Sequence, residues 1–240
     1  MGEPIREEWV AAAVAGKSFA EVGGLWGTVN EQVTVAARAG ATATTMIDAI
    51  SSDHGDKDLW QAFRDRAASL GVTDMTCVQG SIDDAELVRR VGSFDVVSCS
   101  GVLYHCPQPL HTLRNLRAIT RETLILGTAT MPERVSSPAG TVTAEAGSAL
   151  LVPAMTESQR AVLGEWLRQV GGAQALGVNA PLETEWALDD CNAWWWFFTR
   201  DYVSALLRLA GFRVETLASY WDGRATFYLA KAAGSPAVAA

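Results

Sequence analysis

Five short apolar runs punctuate the first half of the chain, and each ends in a polar or glycine-rich turn. Residues 18–22 run into a glycine cluster, 44–47 stop at Asp48, and 76–78 stop at Gln79-Gly80; 95–98 stop at Cys99-Ser100-Gly101, and 122–128 form the fifth run. Runs this short, flanked by turn residues, are strands buried within a sheet. Between them, residues 31–39, 57–70, 84–91 and 109–120 can each turn an apolar face inward as a helix. Strand and helix alternating in this way predict an α/β fold, a parallel sheet covered by helices on both faces.

After Thr128 the alternation breaks. Residues 131–190 are rich in Ala, Gly, Ser, Thr and Pro and hold one clear helix. Thr156 is its N-cap, Gln159 completes a capping box, Gly171 follows the last turn, and Val162, Leu163, Trp166, Leu167 and Val170 form its apolar stripe. Such an interruption of a regular α/β pattern predicts a substrate-binding lid. Regularity then returns. Thr199 caps a helix running to about Ala210, with Asp201 in its first turn and Gly211 as its stop. Residues 213–219 and 226–231 are two strands joined at Trp221-Asp222-Gly223-Arg224, hence antiparallel neighbours. The chain therefore divides into a core over residues 1–130, an insertion over 131–190, completion of the core over 191–231, and a disordered tail over 232–240.

With 240 residues, 49% of them hydrophobic and 19% charged, the chain can bury one large core. A net charge of −8 disfavours a nucleic-acid or anionic-membrane partner held by general basic charge. The four cysteines, Cys77, Cys99, Cys106 and Cys191, lack metal-ligand spacing and suggest free thiols in a reducing compartment. His54 among Asp53, Asp56 and Asp58 has no recognisable ligand pattern, so no metal is expected. The N-terminal MGEPIREEWV is not a signal peptide, and no apolar run spans a bilayer. A cytoplasmic protein is expected, with homo-oligomerisation left open.

The chemistry gathers where the strands end. Glu21-Val22-Gly23-Gly24-Leu25-Trp26-Gly27 follows a predicted strand and precedes a predicted helix, so its glycines let the backbone approach a ligand closely. Asp48 ends the next strand about twenty residues on, the place of an acid that binds both hydroxyls of a ribose. An ordinary tight turn with a surface acid is the plainer alternative. An acid two residues before the first glycine repels phosphate but suits an amine. A ligand with a ribose, an amine and no phosphate points to S-adenosylmethionine.

These residues resemble the class I S-adenosylmethionine-dependent methyltransferases, over about residues 18–128 and again over 194–231. Glu21 to Gly27 is similar to the family's first motif, E/DxGxGxG, and Asp48 to its ribose acid. Gln79-Gly80-Ser81-Ile82-Asp83 resembles the loop after the third strand, where Ser81 and Ile82 would border adenine. Phe94-Asp95-Val96-Val97-Ser98 followed by Gly101-Val102-Leu103-Tyr104-His105 resembles the fourth-strand motif. GVLYH is most like the branch that holds the tRNA wobble-uridine carboxymethyl/methyl-transfer enzymes and their small-molecule relatives. The resemblance implies a Rossmann-like three-layer sandwich with a seven-stranded, mostly parallel sheet, one antiparallel strand near its edge, and the lid after strand five. It also implies a cofactor site of Glu21, Gly23, Gly24, Leu25, Gly27, Asp48, Gly80, Ser81, Ile82, Ser100, Gly101 and Val102, the last three at the methionine end. Leu25 stands where the family has its central glycine, with the bulky Trp26 behind it.

His105, after a central strand, is the candidate general base, since imidazole suits proton removal near neutral pH; a packing role is the alternative. Tyr104, Trp194, Trp195 and Trp196 are the candidate lining of an acceptor pocket, although in Trp194-Trp195-Trp196-Phe197-Phe198 most rings should be core. Arg114, Arg117 and Arg121 read as a solvated helix face. The expected function is methylation of a small molecule, with oxygen favoured over nitrogen. The alternatives are tRNA uridine modification, prompted by GVLYH, and a catalytically degenerate cofactor-binding module, prompted by Leu25 and Trp26.

Overall fold

The computed structural model describes residues 4–25, 30–50, 58–169, 186–188 and 193–234. Gly27 and Trp26 of the glycine cluster, His54 with Asp53 and Asp56, Val170, Gly171 and Cys191 lie outside the described residues.

The chain runs α1 (Pro4–Ala13), β1 (Ser18–Val22), α2 (Val33–Arg38), β2 (Ala43–Asp48), α3 (Leu59–Ser69), β3 (Thr76–Gln79), α4 (Ala85–Val91), β4 (Phe94–Ser100), α5 (Pro109–Ile119) and β5 (Thr120–Ala129). Then come β6 (Arg134–Ser137), β7 (Gly140–Thr143), β8 (Ala149–Leu151), α6 (Glu157–Arg168), β9 (Trp196–Phe198), α7 (Arg200–Leu209), β10 (Phe212–Tyr220) and β11 (Ala225–Ala232). Seven strands form one sheet in the order β10-β11-β5-β4-β1-β2-β3. Only β11 runs against its neighbours, pairing antiparallel with both β5 and β10. This is the parallel sheet expected from the alternation, in the seven-stranded Rossmann-like form that the resemblance implied. Its strand order reverses between β1 and β4, the position at which such sheets bind ligands.

Because side chains alternate across a strand, each strand supplies both layers of core. Phe19, Met46, Val96 and Ile125 pack under α1, α2 and α3 with Val10, Val33, Trp60 and Phe63. On the other face, Ala20, Ile47, Val97, Cys99 and Leu126 meet Leu87 of α4, Leu113 and Leu116 of α5, and Leu207 of α7. Local signals set the helix starts. Asp58 accepts from Gln61 N and Asp84 from Glu86 N, and α5 begins with Pro109. Thr156 and Gln159 close the capping box on α6.

The insertion has an apolar cluster of its own. The β6–β7 hairpin, which the sequence did not announce, packs Val135 and Val142 against Val162, Leu163, Trp166 and Leu167 of α6. Trp194 and Phe197 join the same cluster.

The N-terminal segment, for which the sequence announced no element, forms a helix, α1. Three expectations change. Thr199 sits at the N-cap of α7, but its hydroxyl donates to Ser148 O at 2.8 Å and makes no cap bond. Of the arginines expected on a solvated face, Arg114 is exposed, whereas Arg117 and Arg121 are engaged. Arg117 donates to the carbonyls of Gly211, Thr120 and Ala233, while Arg121 donates to Asp95, Ser93 and Ser18. These bonds fasten the ends of the sheet remote from the glycine turn. Finally, the first residues of the expected tail are held, since Ala232 ends β11 and Ala233 N donates to Gly211 O; residues 235–240 lie outside the described residues.

Candidate functional site

The carboxyl ends of β1, β2, β3 and β4 form one lip, and the expected residues stand on it. At the end of β1 the backbone swings up through Gly23, whose φ is 81°. A Cβ at Gly23 would lie 2.2 Å from Val102 Cγ2, so glycine is needed for the two loops to approach. Val102, Gly101 and Ser100 thus sit against the turn as expected, with Gly101 N held by Gly127 O at 3.1 Å. Leu25 turns its side chain into the core among Val33, Met46 and Phe63. Only its N–H reaches the lip, donating to Asp48 Oδ2 at 3.0 Å. Leu25 is therefore no side-chain ligand, and its departure from glycine does not fill the lip.

Asp48 is 5% exposed at the end of β2, and its Oδ1 accepts from Ile50 N at 2.9 Å. The bonds to Leu25 N and Ile50 N fix the direction of the Asp48 carboxylate at the lip. Gly80 N donates to Asp48 O at 2.8 Å, which ties the third loop to the second. A Cβ at Gly80 would lie 2.2 Å from Leu87 Cδ1, so only glycine fits there. Ser81 is exposed at the rim, whereas Ile82 is buried in the core with its carbonyl held by Asn115 Nδ2.

Glu21 differs from expectation. Its carboxyl is 1% exposed and faces inward. Oε2 accepts from Gln32 N at 2.6 Å and Val33 N at 3.2 Å at the start of α2, and Oε1 lies 3.9 Å from Arg6 Nη1. Burial pushes its pKa up to about 8, opposed by Arg6 and the two N–H donors and reinforced by Glu31. Glu21 is a strut beneath the glycine turn.

After β4 the chain makes one 3-10 turn, Leu103–His105, anchored by the buried Leu103. His105 Nδ1 lies 3.0 Å from Ala193 O. Only an N–H can face a carbonyl at that distance, so Nδ1 carries the proton and Nε2 is the basic nitrogen. The aromatic run is laced to this turn by two further bonds, Trp195 N to Tyr104 O at 2.9 Å and Trp196 Nε1 to Cys106 O at 3.1 Å. Tyr104 packs with tilted rings against both His105 and Trp194, with centroids at 4.2 and 4.3 Å. Alternation along β9 sends Phe198 into the main core and Phe197 into the insertion cluster, with Trp196 packed against the main core. Trp194 is buried; Trp195 and Trp196 are half-buried. The structure thus brings His105, Tyr104 and Trp194 together. The Ala193 carbonyl and Arg6 were missed, because a backbone acceptor has no residue type and a lone arginine on a helix has no motif.

Cys106 and Cys99 are buried, which pushes Cys106 up to about 12 and Cys99 well above the usual thiol range, so neither thiol is reactive near neutral pH. Among the described residues no cluster of His, Cys, Asp or Glu could hold a metal ion, and no helix is long and apolar enough to cross a membrane.

Comparison with known proteins agrees with this geometry. The family model described as "Methyltransferase domain" matches residues 34–124. The ubiquinone biosynthesis O-methyltransferase of Vibrio parahaemolyticus is 31% identical over 121 residues, 49% of this chain and 46% of that one. The chain thus spans about half the length of the curated relatives it matches. A candidate methyltransferase from Bacillus halodurans C-125 superposes with a TM-score of 0.61 at 12% identity, over 97% of this chain and 99% of that one. A magnesium protoporphyrin IX methyltransferase from Synechocystis PCC 6803, with bound SAH, gives a TM-score of 0.56 at 14% identity, over 95% and 80%. At such identities the structures speak for the fold alone. Sheet order and the matched segment thus give this chain the fold of the methyltransferase structures it superposes on, with the methyltransferase domain model matched over residues 34–124.

Proposed function

We propose that the chain transfers a methyl group from S-adenosylmethionine to an oxygen of a small-molecule acceptor. The observation that carries this reading is the pairing of an aimed carboxylate, Asp48, with a tautomer-fixed imidazole, His105, on one lip of the sheet. The residues present fit the cofactor. Asp48 would accept the ribose hydroxyls, Ser81 would flank the adenine, and the Gly23-Gly24 turn with Gly101 and Val102 would border the methionine end. Ile82 would back the adenine from the core. When bound, the cofactor supplies a methyl group on a positively charged sulfur, which leaves without acid assistance.

The protein then has two tasks, to align the acceptor and to take its proton. His105 Nε2 would take the proton of an acceptor hydroxyl. The carbonyl of Ala193 would steady the resulting imidazolium through Nδ1–H. Tyr104 and Trp194 would wall the acceptor, and residues 131–190 would cover it as a lid built around α6. Three features support a small molecule: the aromatic wall, the net charge of −8, and the O-methyltransferase name of the Vibrio relative. Free thiols at Cys77, Cys99 and Cys106 favour a cytoplasmic setting.

The test is calorimetric titration with S-adenosylhomocysteine, followed by mass-spectrometric detection of a 14 Da gain (about the mass of CH2) on phenols, aliphatic alcohols, amines and bulk tRNA. Binding with methylation of hydroxyl compounds is the expected result. Methylation confined to amines would remove the role of His105 as a base for oxygen. Methylated tRNA would move the protein to the GVLYH branch, and binding without any product would make it a cofactor-binding module.

A further inference from the structure

We propose that Arg6, on α1 and outside the residues that match the methyltransferase domain, is a positioning residue for the cofactor, acting through Glu21 to hold the Gly23-Gly24 turn in its binding shape. The proposal rests on the cofactor reading above.

Arg6 is only 4% exposed, which is unusual for a guanidinium and is tolerated when the charge is paired and hydrogen-bonded. One side of its fork faces Glu21 Oε1 at 3.9 Å, and the other donates to Asn30 O. Its Cζ lies 5.7 Å from the centroid of Phe227, a cation–π distance. Phe227 fills the space over Gly127 at the end of β5, where a Cβ would come within 2.4 Å of the ring, and stacks on Tyr220 at 4.0 Å. Glu21 and Asn30 lie on either side of the glycine turn along the chain. One guanidinium therefore sets the separation of the two, and Phe227 holds that guanidinium against the sheet.

The link from Glu21 to the turn is direct. A Cβ on Gly24 would lie 2.6 Å from the Glu21 carboxyl carbon and 2.8 Å from Oε2, so no side chain intervenes between the carboxyl and the turn's backbone. The same oxygen holds the first N–H groups of α2. Any shift of this carboxyl moves the turn and the helix start together. The charged neighbours of Glu21 are Arg6 from α1 and Glu31 ahead of α2, and Glu31 is itself paired with Arg66 of α3 at 3.6 Å. The buried Cys99 thiol of β4 also lies within electrostatic reach of Glu21. Arg6 is the cation of this set that faces Glu21. Without it, a buried acid faces another acid, and its carboxyl withdraws from the geometry that supports Gly24.

The test is a double-mutant cycle on S-adenosylhomocysteine affinity by calorimetry, with Arg6→Met, Glu21→Gln and the pair, alongside Arg6→Lys and thermal unfolding of each protein. Arg6→Met should weaken binding about tenfold or more, Arg6→Lys should recover part of the loss, and the pair should lose little beyond the larger single effect. The Michaelis constant for S-adenosylmethionine should rise while turnover at saturating cofactor holds within about twofold. Unchanged affinity in Arg6→Met, or losses that simply add in the pair, would overturn the proposal. If Arg6→Met does not fold, Arg6→Lys and Glu21→Gln decide it by the same affinities. A wild type that does not bind S-adenosylhomocysteine at all would overturn the cofactor reading instead, which the wild-type titration alone reveals.

Discussion

Replacing Asp48 by alanine removes more than a ribose contact. Its two oxygens hold Leu25 N at 3.0 Å and Ile50 N at 2.9 Å, and Leu25 is fully buried. Leaving the buried Leu25 N without an acceptor costs about 1–3 kcal/mol, and the half-buried Ile50 N adds less because water can reach it. In a domain of this size 1 kcal/mol is worth roughly 2–4 °C, so the melting temperature should fall by at least about 2 °C. Separately, losing a charged acceptor for the ribose hydroxyls costs about 1.5–3 kcal/mol of binding, or roughly 10–150-fold in affinity. Asp48→Asn keeps one acceptor oxygen and should show a smaller loss on both axes. The assay is calorimetric titration with S-adenosylhomocysteine at 25 °C, where circular dichroism confirms folded protein, paired with thermal melts. A stable Asp48→Ala protein with wild-type affinity would refute both parts of the reasoning. A destabilised protein with unchanged affinity would leave Asp48 as a brace for the turn and no ligand.

Three further outcomes are expected. His105→Ala should lower single-turnover methylation about 10²–10⁴-fold with cofactor affinity nearly unchanged; a variant that keeps most of the rate would remove His105 as base. For Glu21, the folded state holds a proton more tightly than the unfolded chain, so its stabilisation is complete below the ordinary carboxyl value of 4.5 and is lost as pH rises toward about 8. Urea unfolding between pH 5 and 9 should show that decline, and Glu21→Gln should flatten it; an equal slope in the variant would refute the assignment. Leu163→Ala, in the fully buried stripe of α6, should cost about 2–5 kcal/mol in chemical denaturation, and a loss below about 1 kcal/mol would mean that the insertion cluster does not contribute to the cooperative core.

The main sheet was legible because its signals are local. Short apolar runs, turn glycines and caps such as Thr156 with Gln159 need only neighbours along the chain. Five parallel strands, their helices and the final antiparallel pair all follow from that. The hairpin of β6 and β7 was not legible, since Arg134–Ser137 and Gly140–Thr143 are short and largely polar, and they become strands by packing on α6. Propensity is weak there and tertiary burial decides.

The candidate site divides along the same line. Sequence alone determined which residues stand on the lip: Gly23, Asp48, Gly80, Gly101 and His105 each follow a strand, and a parallel sheet gathers strand ends at one edge. Tertiary structure decided where each side chain points. Glu21 was expected beside an amine, yet two N–H groups of α2 and the guanidinium of Arg6 claim it from within. Leu25 was expected among the cofactor residues, yet the core takes its side chain. The proton on His105 is set by a carbonyl 88 residues away in the chain, and Arg117 and Arg121 fasten strands that a helical wheel cannot see. Orientation depends on partners distant in sequence. Periodicity records which face of an element is buried, but not which buried group meets which.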